Sequence, residues 1–289
     1  MKNISHIVLA VTAILAMSCD SLEKEVDVDI DHTPQFVVQA YVQNGEVPKV
    51  ILSKSTSFES PIAESLELVT DADVSLILPG NDTIELESGI FFDDVAFFGF
   101  NYSSDDILNV EENSPIQLLI QTIEGDELTA QTVIPSPIHL DSIVLDYDGE
   151  KNRFTSYLKD NPGFGDFYRN VSLQILQDTL FNEDFENNVY NDFWFDDDLL
   201  NGESFPFEIT LFEFELDDTL ILLTSRLTED HYDYLTSIDN ARSANGSPFG
   251  QAGPIDGNIN GGLGIFTGLS IARDTAVALN LDTTIVLGN

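Results

Sequence analysis

One thiol, four imidazoles and 51 carboxylates are the side chains here whose types and spacing could do chemistry. The histidines, His6, His32, His139 and His231, lie far apart, and no H-E-x-x-H or other paired spacing offers a zinc site. His231 falls in the first turn of an expected helix, where a lone histidine is more often a surface group than a ligand. Ser21 to Lys24 and Ser156 to Lys159 both fit S-x-x-K, a match expected by chance among so many serines, and no G-x-S-x-G elbow exists. Gly261-Gly262-Leu263-Gly264 fails the dinucleotide pattern at Thr267 and lacks a P-loop lysine. Its glycines are read as allowing close strand approach or a bulge. No catalytic residue is therefore assigned.

The thiol is Cys19, and as the sole cysteine it can close no internal disulfide. Before it come Lys2, an apolar run from Ile7 to Met17, and Ser18. That layout is an export signal, too short to span a bilayer permanently. Leu15-Ala16-Met17-Ser18-Cys19 resembles a bacterial lipobox, although the strict pattern places an aliphatic residue where Ala16 sits. The expectation is a signal peptide over residues 1–18 and lipidation at Cys19, which would become the mature N-terminus. Two or three acyl chains, at about 0.8 kcal/mol per buried CH2, anchor a protein stably where one chain is marginal.

Carboxylates dominate what remains. Loss of Lys2 leaves 10 basic residues against the 51 acids, which excludes nucleic acid as a partner and leaves no basic stripe for phosphates. Among acidic clusters, Asp93-Asp94, Asp105-Asp106 and Asp196-Asp197-Asp198 offer oxygen ligands that could bind Ca2+, while Asp27, Asp29 and Asp31 lack the glycine of a calcium loop. No cofactor beyond that calcium is expected. Glycoside hydrolysis would need two of these acids about 5–9 Å apart. Tyr190, Phe193, Trp194 and Phe195 could form an exposed platform for a ligand, or pack one domain against another.

The elements that must position these groups are mainly β. High acidity would suggest disorder, but 43% of residues are apolar and 20 are Phe. Residues 19–33 read as an acidic tether extended by self-repulsion. From Pro34 the pattern has period two. Phe36 to Gln43 and Pro48 to Ser53 flank Asn44-Gly45, a hairpin signal. Strands follow at Asp73 to Leu78, Thr83 to Glu87, Gly89 to Phe92, Pro115 to Ile123 and Glu127 to Ile134, giving an antiparallel sandwich over 34–135. Pro135-Ser136-Pro137 marks the boundary. A second β-rich domain, 138–289, is expected from Asp141 to Tyr147, Phe167 to Leu176, Phe205 to Leu216, Thr219 to Leu227, Leu263 to Phe266 and Leu269 to Val277. Its one helix, Thr228 to Ser243, has Tyr232, Leu235, Ile238 and Ala241 or Arg242 at three-residue spacing.

These stretches carry a family resemblance. The Cys-then-acidic start, "FVVQAYVQNGEVPKVILSKS", the turn into Phe167-Tyr168-Arg169, the helix with Tyr232 and Tyr234, and "SPFGQAGPIDGNINGGLGIF" resemble the Bacteroidota lipoprotein family called domain of unknown function 4249. The family's Pro-Pro-Gly turn stands here as Asn161-Pro162-Gly163. The resemblance implies an N-terminal Ig-like or transthyretin-like sandwich followed by a second β-rich domain. It also implies an accessory role beside a TonB-dependent outer-membrane receptor or other envelope protein, with no activity carried over. The expected function is a non-enzymatic binding module, lipid-anchored at the outer membrane, and the acids after Cys19 resemble a signal that sends such lipoproteins to its outer face. The alternatives are a cell-surface glycan or peptide hydrolase using acidic residues, and a structural part of an envelope assembly.

Overall fold

The computed structural model describes residues 32–57, 67–93, 98–147, 152–175, 189–198, 202–211, 219–245, 253–280 and 283–287. The expected signal peptide, Cys19 and most of the tether lie outside these residues. Pro34–Asn289 forms one compact unit.

Alternating apolar residues build the first sheet. In β1 (Phe36–Val42), Val38, Ala40 and Val42 are buried on one face, leaving Gln39 and Tyr41 on the other. The hairpin to β2 (Lys49–Lys54) turns at Gly45, whose φ of 85° only glycine adopts without strain. Asn44 locks that turn from the side: its amide donates to Val110 O and accepts from Val110 N, both at 2.9 Å. The sheet continues through β3 (Glu67–Leu68), β4 (Asp73–Ile77), β5 (Thr83–Asp93), β6 (Phe98–Ser103), β7 (Pro115–Gln121) and β8 (Glu127–Val133). The two strands expected at Thr83 to Glu87 and Gly89 to Phe92 are one, β5, whose register against β6 shifts between Ser88 and Phe91.

The chain past the double proline then returns to this sheet. Strand β15 (Leu263–Gly268) pairs in parallel with β1, Val37 opposite Leu263 through Val42 opposite Gly268. The strand order is β15-β1-β2-β6-β5-β4-β7-β8, with β3 on β2. A bridge from Thr129 to Asn260, and the bond from Gly268 N to Thr132 Oγ1, bring the two ends together, so the sheet is nearly closed around its core. Leu52, Leu76, Ile116, Ile120 and Phe266 are fully buried there, each contributing about 1.5–3 kcal/mol. Sheet pairing thus bridges the proposed boundary at Pro135-Ser136-Pro137.

The glycine run makes this parallel docking possible. Gly264 has φ of 105°, and a Cβ there would lie 1.9 Å from Val38 O; at Gly268 it would lie 2.0 Å from Val133 O. Asn258 secures β15 from its other side, donating to Phe266 O and accepting from Phe266 N at 2.8 Å.

Two further sheets follow. β9 (His139–Tyr147), β10 (Asn152–Lys159) and β13 (Ser204–Leu211) form a three-stranded sheet in the order β13-β10-β9. β11 (Phe167–Ile175), β12 (Val189–Asp196), β14 (Thr219–Leu227), β16 (Ser270–Asn280) and β17 (Thr283–Leu287) form the other, ordered β12-β11-β14-β16-β17. Between them Tyr168, Leu158 and Phe207 are buried, with Phe193, Phe195 and Phe205 packed against them. The acidic-aromatic stretch around Trp194 is therefore strand β12. Phe193 and Phe195 lie among rings within the fold, at 6.0 Å from each other, and form no exposed platform.

Among the described residues there is one helix, α1 (Glu229–Asn245), with Glu229 and Asp230 in its first turn and Arg242 in its last, as the macrodipole favours. Its buried positions are His231, Tyr234 and Ser237, one residue off the expected apolar stripe. The reason is its neighbours. Trp194 Nε1 donates to Thr236 Oγ1 at 3.0 Å, and Ser237 Oγ accepts from Asp256 N at 3.0 Å, so polar groups fix the helix's rotation.

Candidate functional site

The two faces of each strand explain a cavity among the described residues. Because Val38, Ala40 and Val42 point into the first core, Gln39 and Tyr41 face outward, joined by Lys49 and Ile51 of β2. Arg169, Val171 and Leu173 of β11, with Leu223, Ser225 and Leu227 of β14, form the opposite wall. Phe98, Leu269 and Ile271 extend the apolar lining, and His231 of α1 joins it. The cavity is partly open to solvent and its volume is about 450 Å3, within the usual range for small-molecule sites and, like them, mostly apolar with a few polar groups.

Those polar groups are arranged in pairs. Arg169 donates from Nε to Asp192 Oδ1 and from Nη2 to Asp192 Oδ2, both at 2.8 Å. The register places Val171 opposite Asp192, so Asp192 lies diagonal to Arg169 on the same face. Burial opposes the Arg169 charge, but the Asp192 fork outweighs it and raises the guanidinium pKa further. Lys49 and Glu46 make a looser pair at 3.6 Å. Burial, then the neighbouring Tyr234 phenol, push Tyr41 up to about 12 against the pull of Arg169.

His231 is 2% exposed, which corrects its expected surface position. Its ring sits 6.3 Å from that of Tyr41, and Nδ1 has no hydrogen-bond partner. Burial, then the Arg169 charge, lower its pKa to about 3 against the pull of Asp192, so the ring is neutral at ordinary pH. A serine, a histidine and an aspartate thus share one cavity. Both Asp192 oxygens are engaged by Arg169, however, and no bond from Asp192 orients the imidazole as a triad would require. The arrangement suits holding a ligand with an apolar body and a polar end.

Of the other expected residues, His32 is exposed near the start of the described chain, and the side chains of His139 and Asp93 lie outside the described residues, as does Asp94. Asp105 and Asp106 are exposed on the loop after β6. Among the described side chains of the three expected acidic clusters, only Asp197 is buried, at 1% exposure. Arg169, Asp192 and Tyr41 were not singled out from sequence; their signal was a polar or charged residue on the outward face of a β-rich segment.

Residues 23–275 match the family described as a domain of unknown function (DUF4249). The chain belongs to this family. No curated protein matches it significantly. Among solved structures, a pullulanase complexed with maltotriose from Anoxybacillus sp. LM18-11 is similar at 12% identity and a TM-score of 0.21, over 65% of this chain and 24% of that one. The chicken interferon gamma receptor alpha chain is similar at 10% identity and a TM-score of 0.20, over 67% of this chain and 90% of that one. The DUF4249 chain thus spans about a quarter of the pullulanase.

Proposed function

We propose that this DUF4249 protein is a non-enzymatic binding module, held at the outer membrane by lipid on Cys19, that captures a small ligand in the inter-sheet cavity. The observation that carries the reading is the cavity itself: about 450 Å3, walled by Ile51, Phe98, Val171, Leu223 and Ile271, with charge concentrated at the Arg169–Asp192 fork. Such a site gives affinity through apolar burial and orientation through a few polar groups. The signal-like start and Cys19 support the anchor, and the resemblance supports an envelope receptor as the partner that receives the ligand.

Native mass spectrometry of the protein extracted from its own envelope tests this. The expected result is a bound small molecule that is lost when Leu223→Trp fills the cavity, while Cys19→Ser releases the protein from the membrane fraction. An identical ligand load in the filled variant, or unchanged membrane retention of Cys19→Ser, refutes the corresponding half.

A further inference from the structure

A second site lies away from the cavity, where the loops of the three-stranded and five-stranded sheets meet. Asp160 follows β10, Asp166 precedes β11 and Asp197 follows β12. One carboxylate oxygen from each lies within 4.8 Å of the others. Asp160 and Asp197 are each 1% exposed, so two of the three charges are removed from water.

The hydrogen bonds at this cluster leave a gap. Asp160 accepts from Tyr168 Oη at 2.5 Å and from Gly202 N at 2.6 Å. Asp197 accepts from Gly165 N at 3.0 Å through Oδ1, but its Oδ2 is buried with no hydrogen-bond partner. A carboxylate oxygen stripped of water and donors is costly unless a cation meets it. Arg226, the basic side chain ion-paired here, lies 3.5 Å from Asp166 and is shared with other acceptors. It donates to Ser136 O and Oγ, to Tyr168 Oη at 3.0 Å and, with the amide oxygen of Asn161 turned inward, to Asn161 as well. One guanidinium against three carboxylates leaves an excess of about two negative charges.

We propose that Asp160, Asp166 and Asp197 bind a calcium ion. The donor set is all oxygen, which selects a hard cation over zinc or copper. Ca2+ accepts irregular sets of oxygen ligands, whereas Mg2+ demands near-ideal octahedral geometry and gives up its water reluctantly. The ion would tie the end of β10 to the ends of β11 and β12, joining the two sheets through charge where their shared core of Tyr168, Leu158 and Phe207 ends.

Thermal unfolding of the mature protein, with about 5 mM Ca2+ or with a chelator, tests the site beside Tb3+ luminescence excited through Tyr168. The expected results are a Tm about 4 °C higher at tenfold excess over Kd and saturable Tb3+ emission that Ca2+ displaces. Asp197→Asn should lose both, yet in chelator should unfold at or above the wild-type temperature, because it relieves repulsion. Asp166→Asn, at a more exposed position, should behave the same way if Asp197→Asn fails to fold. The double variant Asp105→Asn, Asp106→Asn on its exposed loop should keep both signals. No Ca2+-linked shift in the wild type, or equal loss of emission in the exposed-loop variant, overturns the proposal.

Discussion

Replacing His231 with glutamine should flatten the acid sensitivity of folding by an amount the structure sets. The imidazole is buried beneath α1 with Arg169, Asp192 and Tyr41 as its polar neighbours, and its pKa is lowered from 6.5 to about 3. Protonation would place an N–H at Nδ1, where the fold offers no acceptor. Because the unfolded chain takes up this proton more readily than the folded one, the contribution is fully present above about 6.5 and is lost as pH falls toward 3. At about pH 5 the loss relative to neutral pH is about 2 kcal/mol. Urea unfolding followed through Trp194, the only tryptophan and bonded to Thr236 on the same helix, supplies the assay. Carboxylates affect both proteins alike, so the difference between wild type and His231→Gln isolates the imidazole. Stabilities that fall in parallel, within about 0.5 kcal/mol, between neutral pH and pH 5 refute the reasoning.

Two further predictions concern the fold that builds the cavity. Gly264→Ala would push a Cβ to 1.9 Å from Val38 O at a φ of 105°, so the β15–β1 pairing should be lost or weakened by roughly 3 kcal/mol or more, seen as a lower urea midpoint and faster proteolysis near residue 264. Asn101→Ala should cost about 2–3 kcal/mol, measured by the same unfolding assay. Its buried amide accepts from Leu52 N and donates to Leu52 O and Val69 O; Leu52 O keeps its bond from Val69 N, whereas Leu52 N and Val69 O lose the Asn101 amide.

Much of the fold could be read from residues whose geometry is local. Asn44-Gly45 announced the first hairpin, and the glycines around Leu263 announced close strand approach, because positive φ and a missing side chain act where they stand. Strand β6 was missed since Asn101, Tyr102 and Ser103 are all buried, which erases the alternation that marks a half-exposed strand. Strand β10 is absent from the expected strands because Ser156 occupies a buried position between Phe154 and Leu158. The cavity was less legible still. Arg169 and Asp192 meet only once β12 is recognised as a strand, and the parallel pairing of β15 is a long-range contact with no local signature. Asp197 was visible as part of an acidic run, whereas Asp160 and Asp166 join it only through the turn between β10 and β11.

The parallel seam between β1 and β15 has a consequence for how the molecule comes into being. The partner of Val37 is Leu263, so β1, the earliest of the described strands to leave the ribosome, waits for β15 before its free edge is covered. Until then the nascent chain carries an unclosed sheet. Any product truncated before residue 268 would carry an exposed edge prone to self-association.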